Sequence, residues 1–143
     1  MGDTTVPDFF REFPMQQVCA DTLDAALADG TQPLTILFLW GRDCPNCDIA
    51  KRAMLNAPDR LHWPEVRWLH GNVYEEPELG TRFGLHGIPA FLVFGEARKL
   101  GRISPWPGVE AFASALAKQI HSLTSERPGP SAQPASAAAT GEI

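Results

Sequence analysis

Leu34-Thr35-Ile36-Leu37-Phe38-Leu39-Trp40 leads through Gly41-Arg42-Asp43 into Cys44-Pro45-Asn46-Cys47, and Asp48-Ile49-Ala50-Lys51-Arg52-Ala53-Met54-Leu55 follows. The first run is apolar on both of its alternating faces, which suits a central strand covered on both sides of a sheet. The last run reads as a helix. A proline in its first turn is tolerated, because no intrahelical partner for an N–H exists there. The two cysteines sit at the junction. A helix start presents unpaired backbone N–H groups and the positive end of the macrodipole. A thiol placed there has its thiolate stabilised and becomes a better nucleophile near neutral pH. The second thiol lies one helical turn on and can close a small disulfide with the first.

The bulk properties set the frame. A chain of 143 residues supports one domain with a real core. A hydrophobic fraction of 44% and a charged fraction of 20% are those of an ordinary soluble protein. A formal charge of -5, with no basic face, argues against general nucleic-acid binding. No segment has the length and apolarity of a membrane span. The start, Met1-Gly2-Asp3-Thr4-Thr5-Val6, has no signal-peptide pattern, so a cytoplasmic location is expected. Three cysteines, unevenly spaced, do not make a secreted disulfide framework.

Residues 1–14 read as an N-terminal arm, with Phe9, Phe10 and Phe13 packing onto the domain and Pro14 ending the segment. A partner-docking strip is the alternative for the same residues. From Met15 to Asp29 a helical period runs through Val18, Cys19, Thr22, Leu23, Ala26 and Leu27, with Asp29-Gly30 as its stop. Cys19 falls on the apolar stripe and reads as a small buried hydrophobe, with a regulatory thiol as the alternative. A strand over 34–40 and a helix over 45–56 follow. Val66–His70 reads as a second buried strand, and Glu76–Phe83 as a short helix with acids near its start. Gly84-Leu85-His86-Gly87-Ile88-Pro89 is a turn-rich loop, and Ala90–Phe94 a third strand. Gly95–Arg98 forms a hairpin turn, and Lys99–Ile103 an edge strand. A last amphipathic helix carries Val109, Phe112, Leu116, Ile120 and Leu123 on one face. Residues 125–143 are rich in Pro, Ala, Ser and Gly and are expected to be a disordered tail, leaving a domain over 15–124.

The order of elements and four local matches together resemble the thioredoxin-like family over about residues 16 to 123. Trp40 stands four residues before Cys44, where thioredoxins commonly carry Trp. Cys44-Pro45-Asn46-Cys47 stands at the active-site CxxC. Phe83-Gly84-Leu85-His86-Gly87-Ile88-Pro89-Ala90 resembles the run that precedes the family's cis-proline, and Gly101 is placed like a glycine after the hairpin. The resemblance implies an α/β thioredoxin fold, three layers of α/β/α around a central mixed sheet. It implies a thiol–disulfide oxidoreductase that reduces or isomerises protein disulfides, acting as a monomer without a bound cofactor or metal. Electrons would come from a separate reductase or from glutathione. Cys44 would be the exposed nucleophile and Cys47 the resolving thiol. Pro89 would be cis, setting the Ile88 backbone beside the thiols to pair with substrate. Trp40, Pro45 and Asn46 would complete the substrate-binding surface.

The departures from the family are specific. Asp43 replaces an apolar neighbour of the first cysteine and should raise its pKa somewhat. The Cys-Pro-x-Cys order is closer to glutaredoxins and to periplasmic oxidases. Yet the glutaredoxin Gly-Gly-Asp clamp is missing after Phe94, and there is no room for the oxidases' helical insertion. Thioredoxins bury a carboxylate six residues before the first cysteine; here that place holds Phe38. The lysine that usually neighbours it corresponds to His70, which is therefore expected to serve Cys47 as acid/base. His70→Leu should then slow release of the mixed disulfide. Three other readings compete. Cys44, Cys47, His62 and His70 faintly imitate a zinc site, with the histidines too far apart. A chaperone or interaction module with a vestigial CxxC is the non-catalytic alternative, favoured slightly by Phe38 and Asp43. A reductase or isomerase dedicated to one partner is the third.

Overall fold

The computed structural model describes residues 9–29, 32–95 and 98–126. In chain order the elements are α1 (Phe9–Glu12), β1 (Gln16–Gln17), α2 (Leu23–Ala28), β2 (Leu34–Trp40), α3 (Pro45–Asn56), β3 (Val66–Asn72), α4 (Pro77–Arg82), β4 (Ala90–Gly95), β5 (Arg98–Ile103) and α5 (Val109–Glu126). A turn of 3-10 helix, Pro58–Arg60, follows α3.

All seven residues of β2 are buried, as its apolar run requires for a strand with neighbours on both edges and layers on both faces. It pairs in parallel with β3 and antiparallel with β4, giving a mixed five-stranded sheet in the order β1-β3-β2-β4-β5. Side chains alternate across the sheet with period two. Ile36, Phe38, Trp40, Trp68, Phe91 and Val93 pack on one face with Phe9 of α1, Met54 of α3 and Phe112 of α5. Leu37, Leu39, Leu69 and Leu92 pack on the other with Leu23 of α2 and Leu79 of α4. The result is the three-layer α/β/α arrangement.

Three segments differ from their sequence reading. Of the expected arm, residues 1–8 lie outside the described residues; Phe9–Glu12 form a short helix, α1, and Phe9 and Phe13 are wholly buried in the main core. The helix expected from Met15 begins only at Leu23. Gln16 and Gln17 instead pair in parallel with Leu69 and His70, and Val18 N–H donates to the His70 carbonyl at 2.9 Å. Cys19 lies in the turn before α2, a free and only partly buried thiol rather than a core residue, 3.5 Å from Thr22 Oγ1. The periodic spacing over 15–27 satisfied a helix by coincidence: Met15 and Val18 belong to opposite faces of the sheet. At the other end α5 runs to Glu126, two residues beyond the expected domain limit. The expected tail beyond it, the hairpin residues Glu96 and Ala97, and the side chain of Leu123 lie outside the described residues. Among the described residues no helix is long and apolar enough to cross a membrane.

Candidate active site

The chain leaves β2 at Gly41, where a Cβ would come within 2.8 Å of both Ile88 Cδ1 and Tyr74 Cε2. Only a residue without a side chain lets those two groups close over the backbone here. Asp43 then takes a left-handed conformation, φ 53. Asp tolerates that region better than most residues, which gives the charge beside Cys44 a backbone reason.

Cys44 is the N-cap of α3. Its Sγ accepts a hydrogen bond from the Cys47 N–H at 3.1 Å, and Pro45 fills the first helical position. The sulfur thus takes one of the helix's orphan donors and sits at the positive end of its dipole. Cys44 and Cys47 are joined as a disulfide with Cα atoms 5.2 Å apart. Cys44 keeps 8% of its surface exposed and Cys47 none, so an incoming group can meet only Cys44. Cys44 is therefore more enclosed than the exposed nucleophile expected, because the Ile88 loop and the Trp40 core pack around it. The Ile88–Pro89 peptide is cis, and the Ile88 carbonyl oxygen lies 3.9 Å from Cys44 Sγ. Pro45 and Asn46 are exposed, Ile88 is half-buried and Pro89 is buried.

Beside Ile88 a groove of about 590 Å³ opens, lined by Val73, Tyr74, Pro77, Leu85 and His86. Tyr74 is an exposed large apolar residue there, 56% accessible. Its backbone N–H is fixed by Asn72 Oδ1 at 2.9 Å, and Asn72 itself is buried at the end of β3. Nothing in the spacing of the sequence marked Tyr74 or Asn72; the turn after β3 brings them to the site.

Behind the disulfide lies a second cluster. The register pairs Phe38 of β2 with His70 of β3, so both side chains project to the face that carries α1 and α3. Trp40 Nε1–H donates to His70 Nδ1 at 3.1 Å, and Phe10 of α1 stacks on the imidazole with ring centroids 3.7 Å apart. A neutral imidazole that accepts at Nδ1 carries its proton on Nε2. Burial, together with the nearby Lys51 charge, pushes His70 from 6.5 down to about 4. Lys51 is itself only 1% exposed, with Nζ 3.8 Å from the Trp40 ring centroid and 5.3 Å from that of Phe10. Cys47, Ala50, Lys51 and Met54 form the buried stripe of α3, and Lys51 is its charged member. The other histidines stand apart. His62 is exposed and stacks on Phe13, His86 lines the groove, and His121 is exposed on α5. Among the described residues no group of three His, Cys, Asp or Glu side chains gathers as a metal site.

The depressed value for His70 has a consequence for stability. The unfolded chain takes up the proton near pH 6.5, the folded one only near pH 4. The contribution of neutral His70 is therefore complete above pH 6.5 and is lost as pH falls from there to 4. The loss is at most about 3 kcal/mol from this group. Urea unfolding at pH 6.5 and pH 4.5 should show His70→Asn losing less stability on acidification than the wild type. Equal losses would mean that His70 is not held neutral.

No protein-family model matches the sequence, and no curated protein matches it. Comparison with solved structures does find likenesses. A single-substitution mutant of thioredoxin from Halobacterium salinarum NRC-1 superposes with a TM-score of 0.60 at 14% identity, covering 72% of this chain and 88% of that one. A designed protein gives 0.60 at 14% identity, covering 74% and 97%. Human ERp44 form I gives 0.61 at 12% identity, covering 74% of this chain and 29% of ERp44. The chain has a thioredoxin-like fold. At such identities the likeness speaks for the fold, and the chemistry has to come from this chain's own residues. Those residues supply a CxxC pair at a helix start, which supports a redox role.

Proposed function

We propose that the protein is a cytoplasmic thiol–disulfide oxidoreductase that acts as a monomer on protein disulfides through the Cys44/Cys47 dithiol. The observation that carries this reading is the placement of Cys44 Sγ as the N-cap of α3, with Cys47 beneath it as disulfide partner. A thiolate at that place keeps the Cys47 N–H bond and the dipole as stabilisation, which favours the nucleophilic form. In the reduced protein, Cys44 thiolate attacks one sulfur of a substrate disulfide. The substrate S–S bond breaks, a mixed disulfide forms, and one substrate thiolate leaves. Cys47 then attacks Cys44 Sγ, restoring the internal disulfide and releasing the second substrate thiol. A separate reductase or glutathione returns two electrons.

The substrate strand is placed along Ile88 and Pro89, with Pro45 and Asn46 on its other side. The neighbouring groove takes an apolar side chain flanking the substrate cysteine. His70 has Nδ1 engaged by Trp40 and a pKa lowered to about 4, so it is a poor proton acceptor, and any part it takes in the reaction is as a hydrogen-bond donor through its Nε2–H. His70→Leu is expected to slow release of the mixed disulfide; an unchanged rate removes His70 from the mechanism.

The test of the reading is the reduction potential of the Cys44–Cys47 pair, by titration against glutathione or dithiothreitol with trapping of free thiols. A value near roughly -270 mV makes the protein a reductase. A value between roughly -180 and -120 mV makes it an isomerase or an oxidant and counts against a cytoplasmic location. Absence of a reversible internal disulfide overturns the enzyme reading and leaves a binding module.

A further inference from the structure

The cluster behind the disulfide contains a group that the exchange chemistry above does not use. Lys51 is a cation buried almost completely in the interior of a small domain. Such a residue is rarely fully enclosed, because desolvating the charge is costly. Here the ammonium lies over the face of Trp40, with Phe10 and Phe9 at 5.3 and 5.9 Å. An aromatic face attracts a cation through its quadrupole. The place where the ammonium is held has a geometric relation to the dithiol. Cys47 and Lys51 are four residues apart on α3, both on its buried face. Residues so spaced are neighbours along a helix, and a long side chain leans toward the N-terminal turn. The Lys51 ammonium lies over Trp40, and Trp40 shares one core cluster with Cys47. β2 presents no carboxylate to that thiol: the side chains it contributes to the shared cluster are Leu34, Ile36, Phe38 and Trp40.

Resting on the oxidoreductase reading, we propose that Lys51 is a positioning residue for the Cys47 thiolate, its aromatic-held cation supplying the stabilisation that lets Cys47 resolve the mixed disulfide without a buried carboxylate. In that step Cys47 thiolate attacks Cys44 Sγ. The Cys44–Cys47 bond forms, the bond from Cys44 to the substrate sulfur breaks, and the substrate leaves as a thiolate that takes a proton from water. The dithiol gives up two electrons over the full cycle, and the substrate disulfide gains them. Lys51 exchanges neither proton nor electron. The field of Lys51 already acts in this cluster, since it contributes to keeping His70 neutral. Several elements pack around Cys47 and Lys51. β3 faces them with His70, α1 with the neutral Phe9 and Phe10, and β2 with the neutral Phe38 and Trp40. α3 itself adds the half-buried Asp48.

The experiment separates attack from resolution. Reduced protein is mixed in stopped flow with 5,5'-dithiobis(2-nitrobenzoate). The first thionitrobenzoate released reports attack by Cys44, and the second reports resolution by Cys47. In Lys51→Met and Lys51→Gln, with folding checked by near-ultraviolet circular dichroism, the second phase is expected to slow about tenfold. That figure combines a charge effect on the thiolate fraction with the partly offsetting nucleophilicity of a more basic thiol. The first phase should stay within about twofold of wild type. Resolution at the wild-type rate in a folded variant, or equal slowing of both phases, overturns the proposal. A wild-type protein that releases no second equivalent overturns the oxidoreductase reading itself, and the proposal with it. Carbon NMR of the Cys47 Cβ in the reduced proteins gives a second readout: the thiol should titrate at lower pH in the wild type than in Lys51→Met. No difference between the two overturns the role given to Lys51.

Discussion

Cys44→Ser is expected to lower disulfide reduction by at least about a thousandfold while leaving the fold intact. The two halves of that expectation come from the same geometry. Cys44 Sγ is the only sulfur of the pair with any exposed surface around it, and Cys47 is sealed. No second nucleophile can take over, because Cys19, the free thiol of the described residues, lies before α2 on the opposite side of the sheet from α3. The stability of the variant should nevertheless be close to wild type. Cys44 caps α3 by accepting the Cys47 N–H, and serine is among the best residues at an N-cap. Cys44→Ala lacks that acceptor and should cost about 1 kcal/mol more than the serine variant. Cys47→Ser separates the two thiols by a different outcome. Attack by Cys44 still proceeds, resolution does not, and the protein accumulates as a mixed disulfide. In a Cys19→Ser background, which removes the free thiol before α2, incubation with oxidised glutathione followed by intact mass analysis should show one glutathionyl adduct on Cys47→Ser and none on Cys44→Ser. Adducts of equal yield on both variants would place the nucleophile at the wrong cysteine.

Much of the fold was legible because several independent local signals agreed. β2 is a run with no polar interruption except Thr35, and such a run admits only a doubly covered strand. The CxxC, the Ile-Pro loop and the amphipathic stripe of α5 then fixed which elements neighbour it. The failures have equally local causes. β1 is two exposed glutamines, with neither β-branched residues nor alternation to announce a strand. It exists because β3 offers an open parallel edge at Leu69 and His70, which no property of residues 15–18 reveals. At the site, Cys44 and Cys47 could be named from their spacing and their place before a helix, and Ile88 and Pro89 from the resemblance to the thioredoxin-like family. Lys51 was hidden because a lysine on a helix is read by default as solvent-facing. Its burial depends on Phe9 and Phe10, and they come from a segment that looked like a peripheral arm.

That arm carries the second large effect. Phe9→Ala should destabilise the protein by about 3–5 kcal/mol, as truncation of a fully buried aromatic side chain does when the site cannot collapse. Phe9 is 0% exposed, stacks with Phe13 at 5.6 Å and meets Phe38 edge-on at 6.0 Å. α1 is only four residues long, far below the length at which a helix is stable by itself. It holds its shape because Phe9 and Phe13 are anchored in the core, so loss of one anchor loosens the whole turn. Phe10 is the control. It is half-buried at the rim of the same cluster, and Phe10→Ala should cost appreciably less than Phe9→Ala. Urea unfolding at pH 7 would rank the two. The same loosening should reach the site, because Phe10 is the lid on His70 and part of the enclosure of Lys51. With water admitted, the His70 pKa should rise from about 4 toward 6.5. Proton NMR of the imidazole in Phe9→Ala would read that shift directly, and the acid sensitivity derived from His70 should shrink with it. A Phe9→Ala protein as stable as wild type, with His70 still titrating near 4, would mean that the arm merely covers the domain and does not build the site.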